Sequence, residues 1–213
     1  MNHPTTDPPE LLINDPHQGD STLVLAHGAG AAMDTEFMDA FADGLADHGL
    51  RVVRFEFPYM ATRRITGKRR PPNREPILRE TWHRVVDSLN ADRVVIGGKS
   101  MGGRIASMIA DEVEVAGVVC LGYPFHPAGK PDKLRVAHLK SIETPMLIVQ
   151  GERDALGNRD DVAGYDLSSN IQFHWLLDGD HSFKPRKLSG RSQTDNWNEA
   201  IQVAAEFVKQ LST

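Results

Sequence analysis

Ser100 lies in the turn Gly98-Lys99-Ser100-Met101-Gly102, directly after the apolar run Arg93–Gly97 and at the start of a predicted helix. A strand-to-helix turn this tight strains the backbone of its central residue, and the flanking glycines relieve the crowding. The turn presents the serine Oγ at the end of a strand, near the positive end of a helix dipole. The pattern therefore predicts a nucleophile for acyl transfer. The alternative is a serine that only caps the helix.

The segment Gly98-Lys99-Ser100 also resembles the end of a phosphate-binding P-loop. That motif requires a glycine five residues before Gly98, and Arg93 occupies the position. We therefore reject a nucleotide site at this turn.

A serine needs a general base before it can attack a carbonyl carbon. His181 is the candidate, because it lies in a loop after the last predicted strand, Ile171–Leu176. His174 lies within that strand and is predicted to be structural. Functional side chains gather at the carboxyl ends of parallel strands, which favours His181.

The base in turn needs an acid that orients it. Asp154 follows the predicted strand Pro145–Gln150 by four residues and is the preferred candidate. The competing acids are Glu152, Asp160, Asp161, Asp178 and Asp180.

An acyl-transfer site also requires backbone N–H groups that face the developing oxyanion, each contributing ~3 kcal/mol in the transition state. Met101, the residue after the nucleophile, is predicted to supply one. The second is expected from the turn after the strand Thr22–Ala26, with Ala29 as the donor. Its neighbours Gly28 and Gly30 would let the backbone approach a substrate closely. The alternative is a turn selected for compactness.

Short apolar runs alternate with segments of helical period, which predicts an α/β protein with a mostly parallel sheet of about six to seven strands, flanked by helices, in one domain over residues 1–213. Residues 1–20 are expected to be flexible or to supply an edge strand, for which Leu11–Ile13 is the candidate. Pro58–Pro76 lacks a period and contains four prolines, so a loop is expected. Further predicted strands are Arg51–Phe55, Arg93–Gly97 and Val115–Leu121, and predicted helices are Met33–His48, Ile77–Leu89, Ser100–Asp111 and Asn196–Leu211.

Six stretches together resemble one group of small α/β-hydrolases, over about Thr22 to Leu211. Its members include bacterial proteins and, in eukaryotes, a subunit of the chromatin-associated NSL complex and a testis-expressed protein. The resemblance implies the α/β-hydrolase fold and a triad of Ser100, Asp154 and His181. No separate cap domain is expected, because the segment Tyr123–Leu139 is too short to form one. The stretches are His27-Gly28-Ala29-Gly30, Phe55-Glu56-Phe57-Pro58-Tyr59-Met60, Gly97-Gly98-Lys99-Ser100-Met101-Gly102-Gly103-Arg104, Gly122-Tyr123-Pro124-Phe125-His126-Pro127, Gln150-Gly151-Glu152-Arg153-Asp154 and Gly179-Asp180-His181-Ser182-Phe183.

Two segments are candidates for substrate selection. Six basic residues lie within twelve positions after Phe57, and we expect Arg63 and Arg64 to select an anionic substrate. The alternative is a solvated basic loop paired with surface acids. After the strand Val115–Leu121, the expected walls of an acyl pocket are Tyr123, Phe125 and His126, although His126 also fits a structural role.

The composition of the chain limits its possible partners, compartment and cofactors. The chain has 213 residues and a net charge of −5, which gives no case for nucleic acid or membrane partners. Its single cysteine, Cys120, and the absence of a signal-peptide pattern favour a soluble cytoplasmic protein. No metal-ligand spacing occurs, and no cofactor is expected. The oligomeric state is left open.

These features favour a serine hydrolase that cleaves a carboxylic ester or thioester of a small-molecule or acyl substrate. Two other interpretations stay open at this point. One is a catalytically weak binding module within a protein complex, and the other is a serine peptidase or acyltransferase that uses the same residues.

Overall fold

A seven-stranded sheet forms the centre of the computed structural model, which describes residues 9–15, 21–89, 91 and 93–211. The strand order is β1-β3-β2-β4-β5-β6-β7; β1 is antiparallel to β3, and the other neighbours are parallel. The strands are β1 Leu11–Asn14, β2 Thr22–Ala26, β3 Arg51–Phe55, β4 Val94–Lys99, β5 Gly117–Leu121, β6 Met146–Gly151 and β7 Ile171–Leu176.

The central strands are apolar because helices cover both faces of the sheet. Every residue of β2, β5 and β6 is buried, as expected for parallel strands between two helical layers. Helices α1 and α6 contact each other on one face, and α3 and α4 contact each other on the opposite face. The helices are α1 Glu36–Asp47, α2 Pro58–Thr66, α3 Glu75–Ser88, α4 Met101–Ile109, α5 Arg159–Ala163 and α6 Gln193–Gln210.

The strand order reverses between β2 and β4. After β2 the chain passes outward to β3, which lies beside the edge strand β1, and it then crosses to the other side of β2 to form β4. Ala26 at the end of β2 pairs with Gly98 near the end of β4. Loops after two such strands diverge and leave a crevice at the carboxyl edge of the sheet, which is where open α/β sheets place their sites.

The sheet and the α/β class confirm the predicted fold, and Leu11–Asn14 confirms the predicted edge strand. The rest of the segment 1–20 that was expected to be flexible lies almost entirely outside the described residues. No inserted cap domain follows any strand in the described part of the chain; the stretch between β5 and β6 carries one four-residue 3-10 turn, Ala137–Lys140. None of the described helices is both long and apolar enough to cross a bilayer.

The predicted loop Pro58–Pro76 is wrong over its first half, because α2 occupies Pro58–Thr66. Pro58 stands in the first turn of α2, where a missing N–H costs nothing. Gly67 ends the helix in the left-handed conformation at φ 67°. The short helix α5 was also not predicted; Asn158 caps it by accepting from the Asp160 and Asp161 amides.

Candidate active site

Ser100 occupies the turn between β4 and α4 with φ 52° and ψ −113°. A non-glycine residue in this region costs on the order of 1–3 kcal/mol and persists only where its surroundings hold it. The Ser100 amide donates to the Leu121 carbonyl over 3.1 Å, and the residue is half-buried. The turn therefore holds the hydroxyl above the sheet in a fixed direction.

The glycines on either side of Ser100 are required by close packing against β2. A Cβ on Gly98 would lie 2.1 Å from the Ala26 carbonyl oxygen, and a Cβ on Gly102 would lie 2.3 Å from the same atom. Real Cβ atoms do not approach an oxygen so closely. The G-x-S-x-G spacing thus reflects the contact between the turn and the end of β2.

His181 lies between Ser100 and Asp154. Its Nε2 is 2.9 Å from Ser100 Oγ, and its Nδ1 is 2.7 Å from Asp154 Oδ2. A carboxylate oxygen only accepts, so Nδ1 carries the proton and Nε2 accepts from the serine hydroxyl. The His181 side chain is 29% exposed, whereas that of Asp154 is completely buried. The three side chains form one hydrogen-bonded series that opens to solvent at the serine end.

Among the residues that the structure describes, no lysine or arginine donates a hydrogen bond to Asp154, which is held by other donors. Its Oδ1 accepts from the Leu156 amide over 2.8 Å. Its Oδ2 accepts from Gln150 Nε2 over 2.9 Å as well as from His181. Gln150 is completely buried and also binds both backbone groups of Tyr123. Sequence reasoning missed Gln150, although a glutamine that ends an apolar strand four residues before the acid could have indicated it.

The competing carboxylates have other partners in the described structure. Asp178 accepts from the Arg186 amide and guanidinium, and these hydrogen bonds lower the pKa of Asp178 to about 2. Glu152 accepts from the Asp178 amide. Asp180 accepts from the Ser182 and Lys184 amides, and Asp161 accepts from the Asn158 amide.

His174 is placed as predicted within β7, where its Nε2 lies 2.8 Å from Glu199. It faces α6 through this contact and not Ser100. The contact with Glu199 thus gives His174 a structural role and leaves His181 as the histidine beside Ser100.

The loop after β2 runs beside the nucleophile. A Cβ on Gly28 would lie 3.8 Å from Ser100 Cβ. His27 is completely buried; its Nε2 accepts from the Phe57 amide over 3.1 Å, so its Nδ1 must be the protonated nitrogen that contacts the Gly28 carbonyl at 2.7 Å. Burial lowers the pKa of His27, which favours this neutral form.

Helix α2 fixes the next two carbonyls of the same loop. The Tyr59 hydroxyl donates to the Ala29 carbonyl over 2.8 Å, and Arg63 Nη1 donates to the Gly30 carbonyl over 3.2 Å. A trans peptide points its N–H opposite to its C=O. Since the carbonyl of Gly28 is also held, the direction of the Ala29 N–H is set by His27.

Met101 is the first residue of α4, where helix amides lack intrahelical acceptors. The Met101 and Ala29 amides are therefore two backbone donors from segments that meet at Ser100. Sequence reasoning named both donors but missed His27 and Tyr59, whose partners depend on the unpredicted helix α2.

Arg63 and Arg64 differ in their surroundings. Arg64 pairs with Asp34 at 2.8 Å and with the buried Glu56 at 2.6 Å, and these hydrogen bonds raise the pKa of Arg64. Arg63 forms no ion pair with any residue that the structure describes. Asp34 and Glu56 thus compensate the charge of Arg64, whereas no carboxylate in the described part of the chain pairs with Arg63.

Both arginines line a cavity of about 390 Å³ beside the loop after β2. Its remaining wall is largely apolar, with one carboxylate. The other lining residues are Gly30, Ala31, Ala32, Thr35, Glu56, Met60 and Gly67.

The expectation that Tyr123, Phe125 and His126 form the wall of an acyl pocket is corrected by their burial. Tyr123 and Phe125 have no exposed surface, and their rings pack 4.7 Å apart in the core. His126 is 4% exposed, and its Nε2 lies 3.9 Å from Asp161. The segment turns inward because Phe125 packs against Gly157 in the loop after Asp154 and against the rings of Tyr165 and Phe173.

Comparison with known proteins gives the class. Residues 19–209 match the model of a family described as "Alpha/beta hydrolase domain". The chain belongs to this family.

Solved structures share the fold. A serine hydrolase from Xanthomonas campestris, described as lacking a lid, superposes with a TM-score of 0.69 at 17% identity, covering 92% of this chain and 88% of its own. Dienelactone hydrolase from Anabaena variabilis gives 0.70 at 20% identity, with 94% and 90% covered. Est1E from Butyrivibrio proteoclasticus with bound ferulic acid gives 0.66 at 15% identity, with 95% and 93% covered. The family is that of an alpha/beta hydrolase domain, and these neighbours, at 20% identity or less, share its fold.

Proposed function

We propose that the protein is a serine hydrolase that cleaves a carboxylic ester or thioester through an acyl-enzyme on Ser100. The observation that carries the proposal is the hydrogen-bonded series from Ser100 through His181 to the buried Asp154, which lies beside the backbone amides of Ala29 and Met101. Nucleophile, base, orienting acid and oxyanion donors are the parts that acyl transfer requires.

In the first half of the reaction, Ser100 Oγ attacks the acyl carbon while His181 Nε2 takes its proton. The Met101 and Ala29 amides hold the oxyanion that forms, and Asp154 stabilises the imidazolium. The tetrahedral intermediate then collapses. His181 returns the proton to the leaving alcohol or thiol, and the acyl group stays on Ser100.

In the second half, a water molecule attacks the acyl-enzyme and His181 removes its proton. The same two amides hold the second oxyanion. Collapse releases the carboxylic acid and gives the proton back to Ser100. The serine, the imidazole and the carboxylate thus return to their starting states.

The relatives support ester chemistry without naming the substrate, because one fold hosts many acyl acceptors. We also infer the narrower group indicated by the sequence stretches, whose eukaryotic members include a subunit of the NSL complex. A hydrogen-bonded series that is complete in this chain favours the enzyme over the binding module.

We further propose that Arg63 selects substrates with an anionic group. The Arg63 guanidinium lines the cavity beside Gly30 and donates one hydrogen bond to the Gly30 carbonyl. Its charge has no carboxylate partner among the described residues. Such a guanidinium suits a carboxylate or phosphate. Arg64 is not part of this proposal, because Asp34 and Glu56 compensate it.

The central proposal is tested by labelling with a fluorophosphonate probe, followed by hydrolysis of a panel of acyl esters and thioesters. We expect wild-type labelling at Ser100, and we expect Ser100→Ala to abolish it and lower turnover by ~10⁴-fold or more. Asp154→Asn should lower turnover with the fold intact. Labelling that survives in Ser100→Ala would refute the assignment.

The Arg63 proposal is tested by comparing KM values for two esters that differ only in charge. We expect Arg63→Gln to raise KM for a carboxylate-bearing ester more than for a neutral ester of the same length. Arg70→Gln, in the exposed stretch after α2, is the control for net charge. Equal losses on both esters would mean that Arg63 only holds the Gly30 carbonyl.

A further inference from the structure

Lys99, the residue before Ser100, points its ammonium at the backbone of the base. Its Nζ donates to the His181 carbonyl over 2.5 Å. The same atom lies 5.5 Å from the ring centre of Phe37 and 5.6 Å from that of Phe183. The proposed reaction does not use this side chain, and the phosphate-loop interpretation, which would give it a role, is rejected above.

Burying a charged lysine at this position costs free energy, because the ammonium loses its hydration. Burial lowers the pKa of Lys99 to about 8, although the nearby charges of Asp154 and Asp180 oppose this effect. A cation that loses water needs compensating partners. Here the partners are two aromatic faces and one carbonyl oxygen.

The surrounding backbone leaves room for the ammonium. Gly122, at the end of β5, has φ 72°, and a Cβ there would lie 2.7 Å from Lys99 Nζ and 3.0 Å from the His181 carbonyl oxygen. Any larger residue would displace the contact. Gly122 therefore leaves the space in which Lys99 Nζ reaches the His181 carbonyl.

This contact links two distant parts of the sheet. Lys99 ends β4, whereas His181 follows β7, and β5 and β6 lie between these strands. The imidazole reaches Ser100 only if the loop after β7 folds back over β5. The hydrogen bond from Lys99, the residue before the nucleophile, to the His181 carbonyl directly restricts the position of that loop.

We propose that Lys99 is a positioning residue whose ammonium holds the His181 carbonyl and so keeps the imidazole within reach of Ser100. The inference rests on the proposed function, because it gives the contact a role in turnover. A charged donor forms a stronger hydrogen bond than a neutral one.

The proposal predicts a dependence on pH. The titratable groups around the Lys99 side chain are Asp154, Asp180, His181, and His27 in the loop whose Gly28 packs on the lysine stem. The ammonium is present below pH 8 and is lost above it. Turnover should therefore fall as the pH rises through about 8.

The test measures kcat and KM for a neutral ester from about pH 6 to about pH 10, across the range in which the lysine titrates. We expect Lys99→Met to lower kcat on the order of 10²-fold, as a misplaced base would, with KM nearly unchanged. The wild-type decline near pH 8 should disappear in Lys99→Met and move upward in Lys99→Arg. Lys140→Met, an exposed lysine that pairs with Asp166, is the control and should match the wild type.

A wild-type kcat in Lys99→Met, or a decline near pH 8 that persists in it, would overturn the proposal. NMR supplies a readout that does not depend on activity: the His181 ring resonances should shift in Lys99→Met and stay in place in Lys140→Met. If the wild type neither labels nor turns over, the proposed function fails, while unchanged ring resonances refute the role of Lys99. If Lys99→Met does not fold, the Lys99→Arg profile and the wild-type NMR titration of Lys99 Nζ decide the question.

Discussion

Gln150 Nε2 donates to Asp154 Oδ2 over 2.9 Å, and this is the oxygen that lies 2.7 Å from His181 Nδ1. Both Gln150 and Asp154 are completely buried. A buried carboxylate needs hydrogen bonds in place of water. The side-chain amide of Gln150, the second-last residue of β6, thus fixes the carboxylate that orients the base.

Replacing Gln150 by Leu should therefore affect both stability and catalysis. We expect a loss of about 1–3 kcal/mol in the free energy of unfolding, because the Tyr123 amide loses its buried acceptor. We expect kcat to fall about tenfold or more, since Asp154 loses a donor. Urea unfolding and steady-state kinetics measure the two effects. Gln172→Leu, at an exposed position of β7, is the control, and equal effects in both variants would contradict the role of Gln150.

A pair of glycine substitutions tests the packing of the Ser100 turn. Gly102→Ala would place a Cβ 2.3 Å from the Ala26 oxygen, so we expect it to destabilise the fold by at least about 1–3 kcal/mol, as overpacking does. Gly30→Ala meets no atom within 4 Å. It should leave the unfolding temperature close to that of the wild type. Thermal unfolding compares them, and similar losses at both positions would show that contact with β2 is not the reason for Gly102.

Much of the sheet could be predicted because its central strands are buried on both faces and therefore form largely apolar runs; the edge strand β7, in which Gln172 is exposed, does not share this pattern. Thr22–Ala26, Arg51–Phe55 and Ile171–Leu176 were predicted with the bounds that the structure has. The placement of Ser100, Asp154 and His181 followed from the same strands, because each residue comes shortly after one. Local pattern and chain order were sufficient for this part of the site.

The supporting residues could not be predicted in the same way. His27 contacts Phe57, and Tyr59 contacts Ala29, in both cases across 30 residues. These contacts exist only because α2 packs on the loop after β2, and the prolines around α2 predicted a loop instead. Tyr123 was placed on a pocket wall because its position after β5 was visible, whereas the direction of its side chain depends on packing.

A histidine outside the site provides a test of stability against pH. His138 Nε2 lies 2.9 Å from Ser107 Oγ, and burial, together with the charges of Arg104 and Arg79, lowers the pKa of His138 to about 4. The unfolded chain binds a proton at this residue near pH 6.5, but the folded chain does not, so stability should fall as the pH drops from about 6.5 toward 4. Urea unfolding should show a smaller loss in His138→Gln than in the wild type. The exposed His48 gives the control variant His48→Gln, and an identical loss in all three proteins would contradict the prediction.

His27 allows the oxyanion loop to be tested apart from the nucleophile. Its neutral imidazole accepts from Phe57 and contacts the Gly28 carbonyl, and the peptide of that carbonyl carries the Ala29 amide. We expect His27→Ala to lower kcat by up to about 10²-fold, which approaches the loss of one oxyanion donor. KM should change little, because the amide matters most in the transition state.

The pH dependence of His27 supplies a second measurement. Burial lowers its pKa, so the folded state resists a proton that the unfolded state accepts near pH 6.5, and part of the stability is lost as the pH falls below that value. His27→Gln, which stays neutral, should lose less stability than the wild type between about pH 7 and pH 5. The ring should also keep Nδ1–H throughout the neutral range, which ¹⁵N NMR of the imidazole detects directly. A protonated Nε2 in the wild type would contradict the hydrogen bond from Phe57 and, with it, the account of how the Ala29 amide is aimed.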